Sequence, residues 1–397
     1  MTTREFADAL NQCIRKLTGQ HSLITERTVL KWRSGETRWP QTLHRTAIRS
    51  VTQQDPADLG FTIPQRSVAG AKQKTSSLPS RHLSVAMPPS VRRSQPRVGV
   101  AQVKELTARL PAIVEFDDRH GGTEAVEGRA LELARQALDL QQQGTATSRV
   151  RGQLYSLGAT FTSSAMWAAI DGRRLDAAQR YLHEAVTLAG LSADPAVQFR
   201  VWGHAASLYR QLGRYHDAIA ADSAARATTV FRRDPLYASL AHARTAAHHG
   251  DLHDLNAVKR SIDHARDALA RADSSTPRPP WMGFYDQAEL ELLALIAYFS
   301  LGSWADAEAH GHRTLALLRP GLARNRSLAL VHMAWAQLEQ GELESAVTTA
   351  QTIPGGAWHG RIGRLVRGFT KRLSDLAPNE AAARAWADYT RRQPPQA

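Results

Sequence analysis

The chain has one cysteine, Cys13, in 397 residues. That excludes an internal disulfide and any site built from several thiolates, and it fits a reducing compartment. No stretch of about 18 apolar residues occurs, so no membrane-spanning helix is expected. The opening MTTREFADAL turns charged and amphipathic at once instead of leading into an apolar signal core, and a cytoplasmic location is expected. Catalytic signatures are missing as well: there is no G-x-x-x-x-G-K-[ST], no G-x-S-x-G and no H-E-x-x-H. Of the sixteen histidines, His249 and His253 flank a Gly250-Asp251 turn, and His310 and His312 stand two apart, which on a helix points them away from each other. They read as turn and surface residues. No metal site, cofactor or enzyme activity is expected.

Acidic residues are scarce at one end. Residues 1–100 hold sixteen Lys/Arg against six Asp/Glu and carry most of the net charge of +13. Such asymmetry points to a polyanionic partner at that end, most often nucleic acid. Within it, 62–100 has seven Lys/Arg and no acid, is rich in Ser and Pro, and lacks helical or strand periodicity. It reads as a disordered basic linker, able to add sequence-independent attraction to phosphates or to act as a soluble tether.

Residues 1–61 read as a small helical domain. Phe6, Ala9, Leu10, Cys13, Ile14 and Leu17 follow one helix face, and Gly19 stops it. In TERTVLKWRSGETRWPQ, Thr25 is an N-cap, Val29 and Trp32 point inward, and Arg27, Lys31 and Ser34 fall on the opposite face. Gly35 suits a left-handed C-cap, and Trp39 also reads as packing. A third helix from Pro40 would bury Leu43, Ala47, Ile48 and Val51, and Asp55-Pro56 begins a short last turn.

Residues 101–392 are helical and repetitive. DGRRLDAA, LGRYHDA, HGDLHDL, LGSWADA and QGELESA recur with turn glycines Gly172, Gly213, Gly250, Gly302 and Gly341. Their spacings of 41, 37, 52 and 39 exceed the 34 of a minimal tetratricopeptide repeat, so the loops between repeats are lengthened. The Pro-rich STPRPPW explains the widest interval. In AASLYRQLGRYHDAIAADSAARA, Ala206 and Ala218 take the small-residue positions 8 and 20, where two helices approach closely. The same alignment puts Arg200, Ser207, Arg210, Arg244, Ile296, Phe299 and Trp335 on a concave surface. Such a groove suits an acidic peptide or a carboxylate-bearing ligand. Arginines that only solubilise it or pair across repeats are the plainer alternative.

VLKWRSGETRWP with ADLGF, then AAQRYLHEAVTLA, PPWMGFYDQAELE and RPGLARNRSLAL, resemble the actinobacterial XRE-type helix-turn-helix regulators that carry C-terminal tetratricopeptide repeats. The resemblance spans nearly the whole chain. About seven residues separate Leu17 from Thr25, however, where such motifs usually join their helices with three or four. The fold implied is all-α: a helix-turn-helix-like DNA-binding domain (1–61), the linker (62–100) and an α-solenoid of tetratricopeptide-like helical hairpins (101–392). Implied too is a transcriptional regulator of double-stranded DNA, with Arg27 and Lys31 at base edges, Thr28 at a base or a phosphate, and Arg33, Arg38 and Arg45 suited to phosphates. Its repeats would sense a peptide, small ligand or protein partner. Oligomeric state stays open, dimers being usual for readers of palindromic sites. The alternative is a tetratricopeptide adaptor or scaffold whose N-terminal domain no longer reads sequence.

Overall fold

Three short amphipathic segments near the start bury their apolar faces against one another. They are α1 (Thr3–Thr18), α2 (Glu26–Arg33) and α3 (Thr42–Thr52), seen in a computed structural model that describes residues 2–18, 24–37, 39–52, 54, 56, 58–61 and 97–392. The chain divides into two units, Met1–Ser90 and Val91–Ala397, and its regular structure is helical throughout the described residues, with one isolated bridge between Arg97 and Thr145.

The core of the first unit is Ala7, Leu10, Ile14, Ile24, Val29, Trp32, Ala47 and Ile48, with Phe61 against Trp32. Asn11 fixes the approach to α2. Its amide donates to the Ile24 carbonyl at 2.8 Å and its Oδ1 accepts the Ile24 N–H at 2.9 Å. Thr25 then caps α2, its Oγ1 accepting the Thr28 N–H at 3.3 Å, and Gly35 ends it at φ +73°. Three expectations change. Leu43 lies in the first turn of α3, which begins at Thr42 and not at Pro40, and is 40% exposed. Ala9 and Cys13 are half-buried, the helix being turned so that Ala7 takes the inner position. Trp39 is half-buried, with the Arg45 guanidinium 4.9 Å from its ring centre. The readings for the Leu17 side chain, Gly19, Arg38, Asp55 and residues 62–96 lie outside the described residues.

The second unit opens with α4 (Val100–Thr107), α5 (Leu110–His120) and α6 (Glu124–Gln143). Residues 97–100, read from the sequence as linker, are structured: Arg97 bridges Thr145, Val98 is buried and α4 starts at Val100. Val98 has Val103 and Leu106 to pack with, while Val100 is exposed. Helix pairs follow: α7 (Ser148–Asp171) with α8 (Leu175–Ser192), then α9 (Pro195–Gln211) with α10 (Tyr215–Ala227). The short α11 (Thr229–Arg233) precedes α12 (Pro235–Asp251) with α13 (Leu255–Ala270), α14 (Gln287–Leu301) with α15 (Trp304–Leu317), and α16 (Ala323–Glu339) with α17 (Leu343–Gln351). Two helices, α18 (Gly360–Leu376) and α19 (Ala381–Arg391), end the unit. Asp194-Pro195 and Asp234-Pro235 start α9 and α12 alike, the carboxylate capping and the proline at the first helical position. Among the described residues no helix is long and apolar enough to cross a membrane.

All five pairs turn through the same stereochemistry, at positions that a search for glycine misplaces twice. The left-handed residues are Arg173, Gly213, His253, Gly302 and Gly341. In each case the next residue's N–H bonds a carbonyl five residues back: Arg174 to Ala169, Arg214 to Tyr209, Asp254 to His249, Ser303 to Tyr298 and Glu342 to Gln337. Gly172 is right-handed, and Gly250 is still inside α12, where a Cβ would meet the Ala297 carbonyl oxygen at 2.4 Å. Counted from the true turns, the spacings become 40, 40, 49 and 39. The close-packed positions then read Met166, Ala206, Ala246, Leu295 and Ala334 on the first helices and Ala178, Ala218, Val258, Ala307 and Ala346 on the second. All ten are fully buried. The long interval holds Trp281, Met282 and Tyr285, which fold back into the core.

Equivalent turns with different residues give a test of opposite signs. An L-residue in the left-handed region costs about 1–2 kcal/mol, and glycine relieves it. His253→Gly is expected to raise the urea midpoint and Gly213→Ala, which meets no neighbouring atom, to lower it. Shifts of the same sign would contradict the shared turn geometry.

Candidate functional site

The DNA-contact residues expected from the sequence share α2, apart from Arg38. With Val29 and Trp32 inside, Arg27 and Arg33 are exposed and Thr28 is half-buried, its Oγ1 lying 3.1 Å from that of Thr25. The Lys31 ammonium is 2.7 Å from Glu36. Both ends of that pair are exposed, so it is worth about 1 kcal/mol or less and phosphate can displace it. Leu30, 52% exposed beside them, is an apolar element that the sequence reading passed over. Arg45 donates to the Pro40 carbonyl at 2.8 Å as well as covering Trp39.

The concave-surface residues separate into two sites within the second unit. Phe299 and Trp335, with ring centres 5.7 Å apart, line an open groove of about 630 Å³ together with His332, Arg361, Arg364, Arg367 and Lys371. Arg173 lies near enough to this cationic wall that, after burial, Arg364 and Arg367 further lower its hold on its proton. Arg210 lines this groove and the inner site alike, held by Asp251 at 3.0 Å and Ser300 at 3.1 Å.

Arg200 and Arg244 face a different space, a cavity of about 120 Å³ bounded by α5, α7, α9, α12, α14 and α16. One wall comes from α5. Its Asp117 accepts from Arg324 Nη1 of α16 at 2.9 Å, and Asp118 lies 4.0 Å from Arg324 Nη2. Asp171, at the end of α7, is 3.9 Å from Arg324 and 2.6 Å from Arg361 of α18. Helices α5, α7, α16 and α18 therefore meet around five charged side chains. The approach is close: a Cβ at Gly360 would come within 2.2 Å of the Asp171 carbonyl oxygen. Burial pushes Asp117 up, while Arg361 and Arg324 outweigh burial at Asp171 and hold it down. His204 stacks on Trp167 with its Nδ1 2.9 Å from Ser163 Oγ, and burial beside Arg200 and Arg244 keeps it neutral.

Asp117, Asp171, Glu289, Arg324 and Arg361 were absent from the sequence reading as site residues. They come from outside the central stretches of the aligned helices, although Glu289 and Arg324 lie in the PPWMGFYDQAELE and RPGLARNRSLAL segments that carry the resemblance. The expectation of surface histidines fails at four places among the described residues, His204, His248, His310 and His332. His310 is buried 2.6 Å from Glu291, and His248 is buried 2.7 Å from Asp222, because each occupies a helix interface where one carboxylate fits.

Two buried groups give the second unit opposed responses to pH. Burial pushes His332 down to about 4 and Glu289 up to about 7. The unfolded chain protonates His332 where the folded one does not, so its contribution is full above 6.5 and falls as pH drops toward 4. Glu289 is the reverse: its contribution is full below 4.5 and is lost as pH rises through 7. Glu289→Gln is expected to raise the urea midpoint near pH 8 and leave it little changed near pH 4, while His332→Gln flattens the loss on the acid side. A pH-independent effect of either variant would contradict these assignments.

No family model, curated protein or solved structure matches the chain.

Proposed function

We propose that this is a cytoplasmic DNA-binding transcriptional regulator. Its first unit is a helix-turn-helix-like domain that docks α2 in the major groove, and its five helix pairs are tetratricopeptide-like hairpins of an α-solenoid that senses a peptide, small ligand or protein partner. The observation that carries the reading is the division of α2 into a buried face, Val29 and Trp32, and an outward face bearing Arg27, Lys31 and Arg33. Arginine on guanine is the commonest specific base contact. The excess of Lys/Arg in the first hundred residues supports the same end as the one that meets a polyanion. In the second unit, the aromatic pair Phe299 and Trp335 beside Arg364, Arg367 and Lys371 suits an acidic peptide segment.

An adaptor without sequence reading is the second interpretation. It is favoured by the interval between Thr18 and Glu26, longer than the usual turn between the two helices of such a motif.

The full chain and its Arg27→Ala/Lys31→Ala variant, incubated with random genomic fragments at about 150 mM salt, separate the two. A regulator enriches one sequence motif and the variant loses it, with the salt slope reduced by about one for each phosphate contact removed. Equal, motif-free binding by both chains would leave the adaptor.

A further inference from the structure

Two of the arginines that line the inner cavity form no ion pair with a carboxylate among the described residues. Around it Arg324 faces Asp117, Asp118 and Asp171, Arg361 faces Asp171, Arg210 faces Asp251 and His248 faces Asp222. Arg200 and Arg244 have no such partner among the described residues. Arg200 is buried and donates only to neutral oxygens, the Thr160 carbonyl at 2.9 Å and Ser164 Oγ at 3.0 Å. Arg244 makes no hydrogen bond or ion pair with any of the described residues. Its Nη1 rests where a Cβ at Gly203 would stand, 2.4 Å away, one helical turn along α9 from Arg200. Aromatic rings back both guanidiniums, Trp281 at 5.3 Å from Arg200 and Phe284 at 5.9 Å from Arg244. Glu289 lines the same cavity and is the carboxylate that most opposes the charge of Arg244, yet it accepts from Asn325 instead; the two guanidiniums keep donors that a ligand anion can use.

The rest of the lining narrows the anion. Ile113, Val114, Leu292, Leu293 and Ile296 make much of the wall apolar, the usual composition of a site for an organic molecule with a few placed polar groups. Asp117 Oδ1 is buried in the same wall and accepts from no donor in the protein. A ligand that fills the space therefore has a negatively charged group, an apolar body and a hydrogen-bond donor. A volume of about 120 Å³ is of the order that holds a single benzene-sized ring.

We propose that this cavity binds a small organic acid, its carboxylate held by Arg200 and Arg244, its apolar body against Trp281 and Phe284, and a hydroxyl or amino group donating to Asp117. The site rests on the sensor reading above only for what its occupancy would control. Binding itself is measured without DNA, so failure of one leaves the other standing.

The test uses the full chain with salicylate and benzoate as probes, salicyl alcohol as the uncharged analogue and inorganic phosphate as a bare anion, read by calorimetric titration and by thermal midpoint. Salicylate is expected to bind more tightly than benzoate, and salicyl alcohol and phosphate about tenfold more weakly or worse. Arg244→Met should weaken salicylate by a similar factor. Gly203→Ala, which displaces the Arg244 guanidinium, should weaken it too. The proposal is overturned if neither carboxylate binds at millimolar concentration, if salicyl alcohol or phosphate binds as well as salicylate, or if Arg244→Met binds undiminished.

Discussion

Arg324 is the residue on which the second unit turns. Its guanidinium sits between Asp117 and Asp118 of α5 and Asp171 at the end of α7, and Asp171 is shared with Arg361 of α18. Asp117 and Arg324 are 207 residues apart in the chain. Without this cluster the helix pairs would have only neighbour-to-neighbour packing. With it, α5 is held across the inner side of the pairs, and one surface becomes two: a cavity facing Arg200 and Arg244, and a groove facing Phe299 and Trp335. Removing one partner of a buried ion cluster costs far more than the cluster's net worth, since it strands the other charges. Such a site persists only as a whole.

The sequence carried much of this, and where it misled, the reason is stereochemical. Glycine marked three of the five turns correctly, because a left-handed residue is most often glycine. Arg173 and His253 take the same conformation, and no search for glycine finds them; it settled instead on Gly172 and Gly250, one and three residues away. Once the turns are counted by backbone, Ala178 and Val258 stand at the same position as Ala218, Ala307 and Ala346, and all five are buried. Helix periodicity gave Arg200, Arg210, Arg244, Phe299 and Trp335 as inward-facing, and each lines the cavity or the groove. It could not give Asp117 or Arg361, which reach the site from elements outside the repeat, nor distinguish a buried His310 from an exposed His312 on one helix. A charged residue looks the same in a sequence whether its partner lies one turn or two hundred residues away.

The two units divide the proposed work by charge. In the first, cations stand outward on a helix whose other face is fixed by Trp32, so they are available to a polyanion. In the second, Arg210, Arg324 and Arg361 are held by carboxylates, whereas Arg200 and Arg244 of the cavity and Arg364 and Arg367 of the groove are in no ion pair among the described residues. A regulator needs one surface that meets DNA and another whose occupancy can change; the distribution of unpaired charge supplies one candidate for each.

The account depends most on coupling between α5 and α16 of the second unit, and a double-mutant cycle between Arg324→Met and Asp117→Asn measures it directly. Urea unfolding is predicted to show Arg324→Met alone costing about 3–5 kcal/mol and far less when Asp117 is already neutral, a coupling of about 1 kcal/mol or more. Additive effects would mean that Arg324 does not tie α5 to α16, and the cavity would lose its basis.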